Sequence, residues 1–198
     1  MGISETIENK FPQLRIITGI SYVSAYREKQ FKVRTYFAND YHFGPSIGQF
    51  SRKEIDYLSN ILTAAHIPFI WIDDIFPHIL NKFAINCCIN ILSVYHDCNF
   101  NDLLNHTDDL KKLTKEVASI IKIYNPKISY DSLFDDILKL INLVGENYSS
   151  TYQDVKKGKM TELSYLNGYL TKLAYENNIR LPFNDYLLNE LTRRGVKM

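Results

Sequence analysis

The sequence predicts an α/β part with a mixed sheet over residues 1–73, followed by an all-helical domain over residues 74–198. Two periodicities predict this division. Apolar residues alternate at period two in the first part, which is typical of half-buried strands. In the second part they recur at a period of about 3.6, which is typical of amphipathic helices. The period changes near Asp74, so we expect the domain boundary there.

Three segments of the first part have the composition of strands. Residues 15–23 are β-branched and aromatic, and residues 31–37 alternate so that Phe31, Val33, Thr35 and Phe37 share one face. Asn39 and Asp40 predict a turn after the second segment. Residues 69–72 predict a short buried strand. These segments should form the small mixed sheet.

The helices are predicted from their caps. Ser51 with Glu54 forms a capping box that predicts a helix ended by Pro68. The next helices should cover residues 75–96 and begin again at Thr107.

Beyond residue 125 the same reasoning predicts three helices. The first is a long helix over residues 130–157, which crosses Gly145 at some cost in helix propensity. Thr161 should cap the second, which reaches Glu176, and the last should begin near Asn184.

Composition excludes several kinds of protein. Hydrophobic residues make up 45% and charged residues 23%, and 23 basic against 22 acidic residues leave a net charge of +1. This balance indicates neither a nucleic-acid nor a membrane-surface partner. No apolar run reaches the roughly 18 residues that a membrane span needs. The three cysteines are clustered and lack zinc spacing, which predicts reduced thiols, no metal site and a cytoplasmic protein.

One predicted helix carries an unusual polar stripe. Lys82, Asn86 and Asn90 stand four residues apart, so they share one face of a helix that is otherwise apolar. Buried polar groups need partners. The stripe is therefore either a solvent-exposed or internally satisfied polar face, or part of a site.

Three motifs resemble those of the ketopantoate reductase family. They are Lys-Phe-Ala-Ile-Asn-Cys-Cys-Ile-Asn over residues 82–90, Ser-Ser-Thr-Tyr-Gln-Asp-Val over 149–155, and a glycine-to-glycine block over 158–168. The resemblance extends from residue 1 to about residue 192. It implies the C-terminal part of a Rossmann-like domain with a mixed sheet. An all-α domain of the ketopantoate reductase and 6-phosphogluconate dehydrogenase type should follow it.

The resemblance also implies site residues. Lys82 matches the lysine that protonates the ketone oxygen, and Glu162 matches the glutamate beside it, so both are candidate catalytic residues. An ammonium group can stabilise and then protonate the oxygen on which charge develops. By the same resemblance, the residues that bind substrate are Asn86, Asn90 and Ser150. Glu162 has a structural alternative, since a carboxylate just after Thr161 could favour a helix dipole.

The sequence departs from the family at one substrate position. A further asparagine of the family falls on Phe100, which is flanked by Asn99 and Asn101. The identity of the 2-oxo acid therefore stays open.

The implied activity is NADPH-dependent reduction of 2-dehydropantoate to (R)-pantoate in pantothenate and coenzyme A biosynthesis. No G-x-G-x-x-G stands in the 198 residues, so the residues that would bind the cofactor are unknown. We expect this chain to carry the substrate-binding and proton-donor half, to be inactive alone and to form a homo-oligomer. The alternatives are a truncated non-catalytic remnant or dimerisation module, and a family member that acts on another 2-oxo acid.

Overall fold

The computed structural model describes residues 3–22, 24–37 and 40–198. Two compact units divide the chain, one up to Ile79 and the other from Leu80 to Met198. The domain boundary expected near Asp74 stays a prediction. The helices and strands of the first unit are α1 (Ile3–Lys10), β1 (Ile16–Ser21), β2 (Ser24–Lys29), β3 (Lys32–Phe37), β4 (Tyr41–Ile47), α2 (Arg52–Ala64) and β5 (Phe69–Trp71).

The main sheet of the first unit is mixed, as predicted. Its strand order is β1-β4-β5, with β4 antiparallel to β1 and parallel to β5. The prediction that β5 is buried was wrong, because Ile70 at its centre is 44% exposed. Among the described strands β5 pairs only with β4, so its other edge lacks a neighbour that would cover it.

A second, two-stranded sheet was predicted only in part. β3 pairs with β2, whose polar sequence carries no strand pattern. Phe31 lies in the turn between them with a positive φ of 65°. Its side chain is 97% exposed, so the predicted apolar face does not bury this residue. The turn predicted at Asn39 lies outside the described residues.

The capping box of α2 is confirmed. Ser51 N–H donates to Glu54 Oε2 at 2.8 Å, and Glu54 N–H donates to Ser51 Oγ at 3.4 Å. Arg15 pairs with the same carboxylate and, with the Ser51 hydrogen bonds, lowers the pKa of Glu54 to about 2. The prediction of one helix in this part was wrong, because α1 is a second.

The second unit is all-helical, as predicted, with no strand in residues 80–198. Its helices, of which the first begins just before the unit, are α3 (Phe76–Tyr95), a 3₁₀ helix (Asn101–His106), α4 (Thr107–Tyr124), α5 (Tyr130–Val144), α6 (Ser150–Lys156), α7 (Asn167–Glu176) and α8 (Pro182–Arg193). The middle and C-terminal half of α3 are buried. Within the described ranges, no helix combines the length and apolar character that crossing a bilayer would require.

The single helix predicted over residues 130–157 was wrong. The chain breaks between α5 and α6, where Gly145 and Asn147 accept hydrogen bonds from Asn101 N and Phe100 N at 2.8 and 3.0 Å. Ser149 then starts α6, since its hydroxyl accepts from Tyr152 N at 3.0 Å. The break therefore places Ser149 and its neighbours at a helix N-terminus.

The start predicted for the next helix was also wrong. α7 begins at Asn167, because Thr161 bonds the C-terminal segment instead of a helix: its backbone N and Oγ1 both donate to Lys197 O. Glu162 therefore lies in the turn before α7 and does not serve the helix dipole. α8 begins at Pro182, two residues before the predicted Asn184.

Candidate functional site

The predicted polar stripe lies on one face of α3. Lys82 and Asn86 are half-buried, whereas Asn90 is only 4% exposed. The rest of that stretch of α3 packs apolar side chains into the helical core. The stripe therefore runs from a partly open end at Lys82 to a closed end at Asn90, where a polar side chain needs a partner.

That partner is the carboxylate of Glu162. Three hydrogen bonds converge on its Oε1 atom: Ser150 Oγ donates at 2.8 Å, Thr151 Oγ1 at 3.1 Å and Asn90 Nδ2 at 3.2 Å. The donors come from α3 and from the first turn of α6. One carboxylate oxygen is therefore held by side chains from two helices.

Glu162 also acts on Lys82. Burial lowers the pKa of Lys82 from its ordinary value, and the negative charge of Glu162 opposes this shift by favouring the ammonium form. The lysine is thus partly dehydrated but still faces a counter-charge. A cation in this state can give up a proton more readily than an exposed lysine can.

Two further contacts fix the helices around this carboxylate. Ser93 on α3 lies with its hydroxyl 2.6 Å from that of Ser149, the N-cap of α6, and both are buried. Asn167, at the start of α7, donates from Nδ2 to the Cys87 carbonyl oxygen of α3 at 2.9 Å. The segments that carry Ser150 and Glu162 are therefore tied to the helix that carries Lys82.

Of the five predicted residues, Asn90, Ser150 and Glu162 are joined by hydrogen bonds, and the charge of Glu162 acts on a fourth, Lys82. Asn86 lies between Lys82 and Asn90 on the same helix face but takes no part in the bonds to Glu162. Prediction from the sequence missed Thr151. Its hydroxyl follows two serines, but the long predicted helix gave no sign that this run begins a helix.

The asparagines that flank Phe100 lie outside this cluster. Asn99 Oδ1 accepts a hydrogen bond from Asp102 N at 3.0 Å, at the start of the 3₁₀ helix. The Asn101 carboxamide packs against Gly145. Both side chains make contacts outside the Glu162 cluster, so neither takes the place of the family's asparagine that falls on Phe100.

The cluster has the chemistry of an acid–base site. It offers one partly buried ammonium, one carboxylate and neutral amide and hydroxyl donors, which suit an oxygen-rich anionic ligand. Cys87, Cys88 and Cys98 are unbridged and buried. Across the described parts of the chain, His, Cys, Asp and Glu side chains form no group of three that could hold a metal ion.

Fold and site define a helical domain that carries a lysine, a carboxylate and neutral donors in one cluster, and comparison with known proteins narrows this class of protein. Residues 74–194 match the family model described as ketopantoate reductase PanE/ApbA C terminal. The chain therefore belongs to the ketopantoate reductase family, and the resemblance seen in its motifs is confirmed.

Curated relatives support the same assignment. The 2-dehydropantoate 2-reductase of Shigella flexneri is 29% identical over 195 residues, which are 98% of this chain and 62% of that protein. The Salmonella typhimurium enzyme of the same name is 32% identical over 153 residues, which are 77% of this chain and 50% of that protein. The chain therefore spans about half to three-fifths of these relatives.

Solved structures share the fold. D-mandelate dehydrogenase in complex with NADH superposes with a TM-score of 0.82 at 20% identity, covering 98% of this chain and 67% of that one. A ketopantoate reductase from Staphylococcus aureus, described as dimeric, gives a TM-score of 0.77 at 16% identity and covers 94% of this chain and 64% of that one. At these identities the likeness establishes the fold alone.

Proposed function

We propose that this chain carries the substrate-binding and proton-donor half of an NADPH-dependent 2-dehydropantoate 2-reductase, which forms (R)-pantoate. The observation that carries the proposal is the Glu162 carboxylate, held by Asn90 and Ser150 and acting on the partly buried Lys82. These are the residue types that reduction of a 2-oxo acid needs around its carbonyl oxygen. The names of the curated relatives support the same substrate.

Each residue of the cluster has a role in this proposal. Lys82 stabilises the charge that develops on the C2 oxygen of the substrate and then protonates that oxygen. Glu162 keeps Lys82 in its ammonium form until the proton is needed. Asn86, Asn90 and Ser150 donate or accept neutral hydrogen bonds at the substrate's carboxylate and hydroxyl groups.

The described residues do not fit the pyrophosphate of NADPH. A dinucleotide needs a glycine-rich turn that leads from a strand to an open helix N-terminus. Gly48 does lie between β4 and α2, but Ser51 caps that helix and the Glu54 carboxylate occupies the same end. A phosphate there would meet a negative charge. Our proposal for this chain is therefore limited to substrate binding and protonation.

One observation favours a second candidate substrate. Asn99 accepts a hydrogen bond from Asp102 N, and Asn101 packs against Gly145. The site therefore lacks one asparagine that the family uses for 2-dehydropantoate. Another 2-oxo acid is therefore the alternative substrate. In either case we place the protein in the cytoplasm as a homo-oligomer, in line with the dimer described for the Staphylococcus aureus structure.

Two measurements test the proposal. Calorimetric titration of the 198-residue chain with (R)-pantoate should show binding that Lys82→Ala weakens. A chimera that joins the N-terminal segment of the Shigella flexneri relative ahead of Ile3 should oxidise NADPH when 2-dehydropantoate is added. Lys82→Ala should lower turnover of the chimera by about 100-fold or more, the usual contribution of a positioned acid.

The exposed Lys159 provides the matched control, since Lys159→Ala should leave both readouts unchanged. Equal turnover in the Lys82→Ala chimera would refute the assignment of the proton donor. Higher kcat/KM on 2-oxoisovalerate or benzoylformate than on 2-dehydropantoate would favour the alternative substrate.

A further inference from the structure

Thr151 is the buried donor of the Glu162 cluster. Its side chain is 0% exposed, and its Oγ1 donates to Glu162 Oε1 at 3.1 Å. A buried hydroxyl without a partner is destabilising, so this hydrogen bond accounts for a hydroxyl at this position. We propose that Thr151 is the positioning residue that keeps the Glu162 carboxylate in place beside Lys82, an inference that rests on the proposed function.

The other two donors cannot do this alone. Ser150 is exposed, and both Ser150 and Asn90 bind substrate in the proposed reaction. Once substrate takes their hydrogen bonds, they no longer hold Glu162 Oε1. Thr151 has 0% exposure and no substrate contact in the proposed reaction, so its hydrogen bond to the carboxylate is the one that persists through turnover.

The position of Thr151 makes it a precise support. It lies in the first turn of α6, whose N-cap Ser149 is fixed to Ser93 of α3. A β-branched side chain has few χ1 rotamers, so the direction of the hydroxyl is set by the backbone. The position of the Thr151 hydroxyl relative to α3 is therefore fixed by the contact between α6 and α3.

Three variants of the 198-residue chain separate positioning from packing. Thr151→Val keeps the shape and removes the hydroxyl, and Thr151→Ser keeps the hydroxyl. Thr114→Val is the matched control, because it removes a buried hydroxyl of α4 that donates to Leu110 O and not to Glu162. Two quantities are measured: the order parameter of the Glu162 Cγ methylene by NMR relaxation, and the affinity for (R)-pantoate by calorimetry.

We expect Thr151→Val to lower the Glu162 order parameter and to weaken pantoate binding about tenfold, the equivalent of one hydrogen bond to a charged group. Thr151→Ser should restore both values. Thr114→Val should leave Glu162 ordered, whatever its effect on the melting temperature.

Three outcomes overturn the proposal: Glu162 order unchanged in Thr151→Val, the same loss of order in Thr114→Val, or an isosteric Thr151→Val chain that does not fold. If the unmodified chain binds no pantoate, the proposed function fails. The comparison of Glu162 order among the three variants then decides the role of Thr151 without any ligand.

Discussion

At the scale of single residues, the site depends on how one carboxylate divides its contacts. Oε1 of Glu162 accepts three neutral hydrogen bonds, while the charge of the group acts on Lys82. Neutral donors leave the carboxylate its full charge, so the lysine still has a counter-ion in a partly dehydrated place. In the proposed reaction, this pair would hold a proton near the substrate and release it there.

This division predicts how Lys82 titrates. Its pKa should lie below that of an ordinary lysine because burial disfavours the ammonium form. Glu162→Gln should lower the pKa further, because it removes the negative charge that favours the ammonium. The measurement is a carbon-13 NMR titration of lysines labelled at Cε, with Lys82→Met to assign the resonance.

The exposed Glu146 supplies the control, since Glu146→Gln should leave the titration of Lys82 in place. A rise in the Lys82 pKa in Glu162→Gln would show that Glu162 does not act as its counter-charge.

At the scale of secondary structure, the break between α5 and α6 decides where Ser150, the proposed substrate-binding serine, lies. Gly145 leaves room for the Asn101 carboxamide, and a Cβ at this position would overlap its oxygen and lie 2.6 Å from the Ile141 carbonyl oxygen. The segment around Asn101 therefore docks where a continuing helix would have run. The close approach of Asn101 to Gly145, more than the helix propensity of the local sequence, ends α5.

Gly145→Ala distinguishes these two accounts. In a continuous helix the substitution would stabilise the protein by about 1 kcal/mol through helix propensity. In the observed fold it should lower the free energy of unfolding by about 1–3 kcal/mol because it overpacks the contact with Asn101. Urea denaturation measures the difference.

Gly168→Ala in α7 is the matched control. A Cβ at Gly168 would lie 3.5 Å from Leu163 O, which is an ordinary van der Waals contact. The substitution should be neutral or slightly stabilising. Adding Asn101→Ala to Gly145→Ala should recover part of the loss, since the two residues share one contact.

At the scale of the whole molecule, the helical unit carries the proposed substrate site, and among the described residues the glycine-containing strand-to-helix turn does not suit a dinucleotide. The helical unit supplies Lys82 and its partners from α3, α6 and the turn before α7. The strand-to-helix turn at Gly48 is capped by the protein's own side chains. Substrate binding and cofactor binding should therefore be separable in experiment.

The 198-residue chain should show no NADPH binding in the micromolar range when titrated by nucleotide fluorescence. The physical reason is that a pyrophosphate needs several free backbone N–H groups, whereas at α2 those of Ser51 and Glu54 are engaged in the capping box and the Glu54 carboxylate lies at the same end. The chimera with the relative's N-terminal segment serves as the positive control. Micromolar binding by the chain itself would reveal a cofactor site of another kind.

The sequence by itself determined whatever depends on neighbours along the chain. The capping box at Ser51, the change of period near Asp74 and the stripe of Lys82, Asn86 and Asn90 are local patterns, and the structure shows the box and the helix that carries the stripe. The motifs also sufficed for the family. The catalytic and binding roles of the site residues stay predictions.

Only the tertiary structure decided which distant groups meet. The end of α5 depends on Asn101, more than 40 positions before Gly145, and the shift in the start of α7 depends on Lys197, which binds Thr161. No local propensity encodes such contacts, because they arise when separate helices pack together. For the same reason Thr151 could be recognised only once Glu162 was seen to accept its hydroxyl.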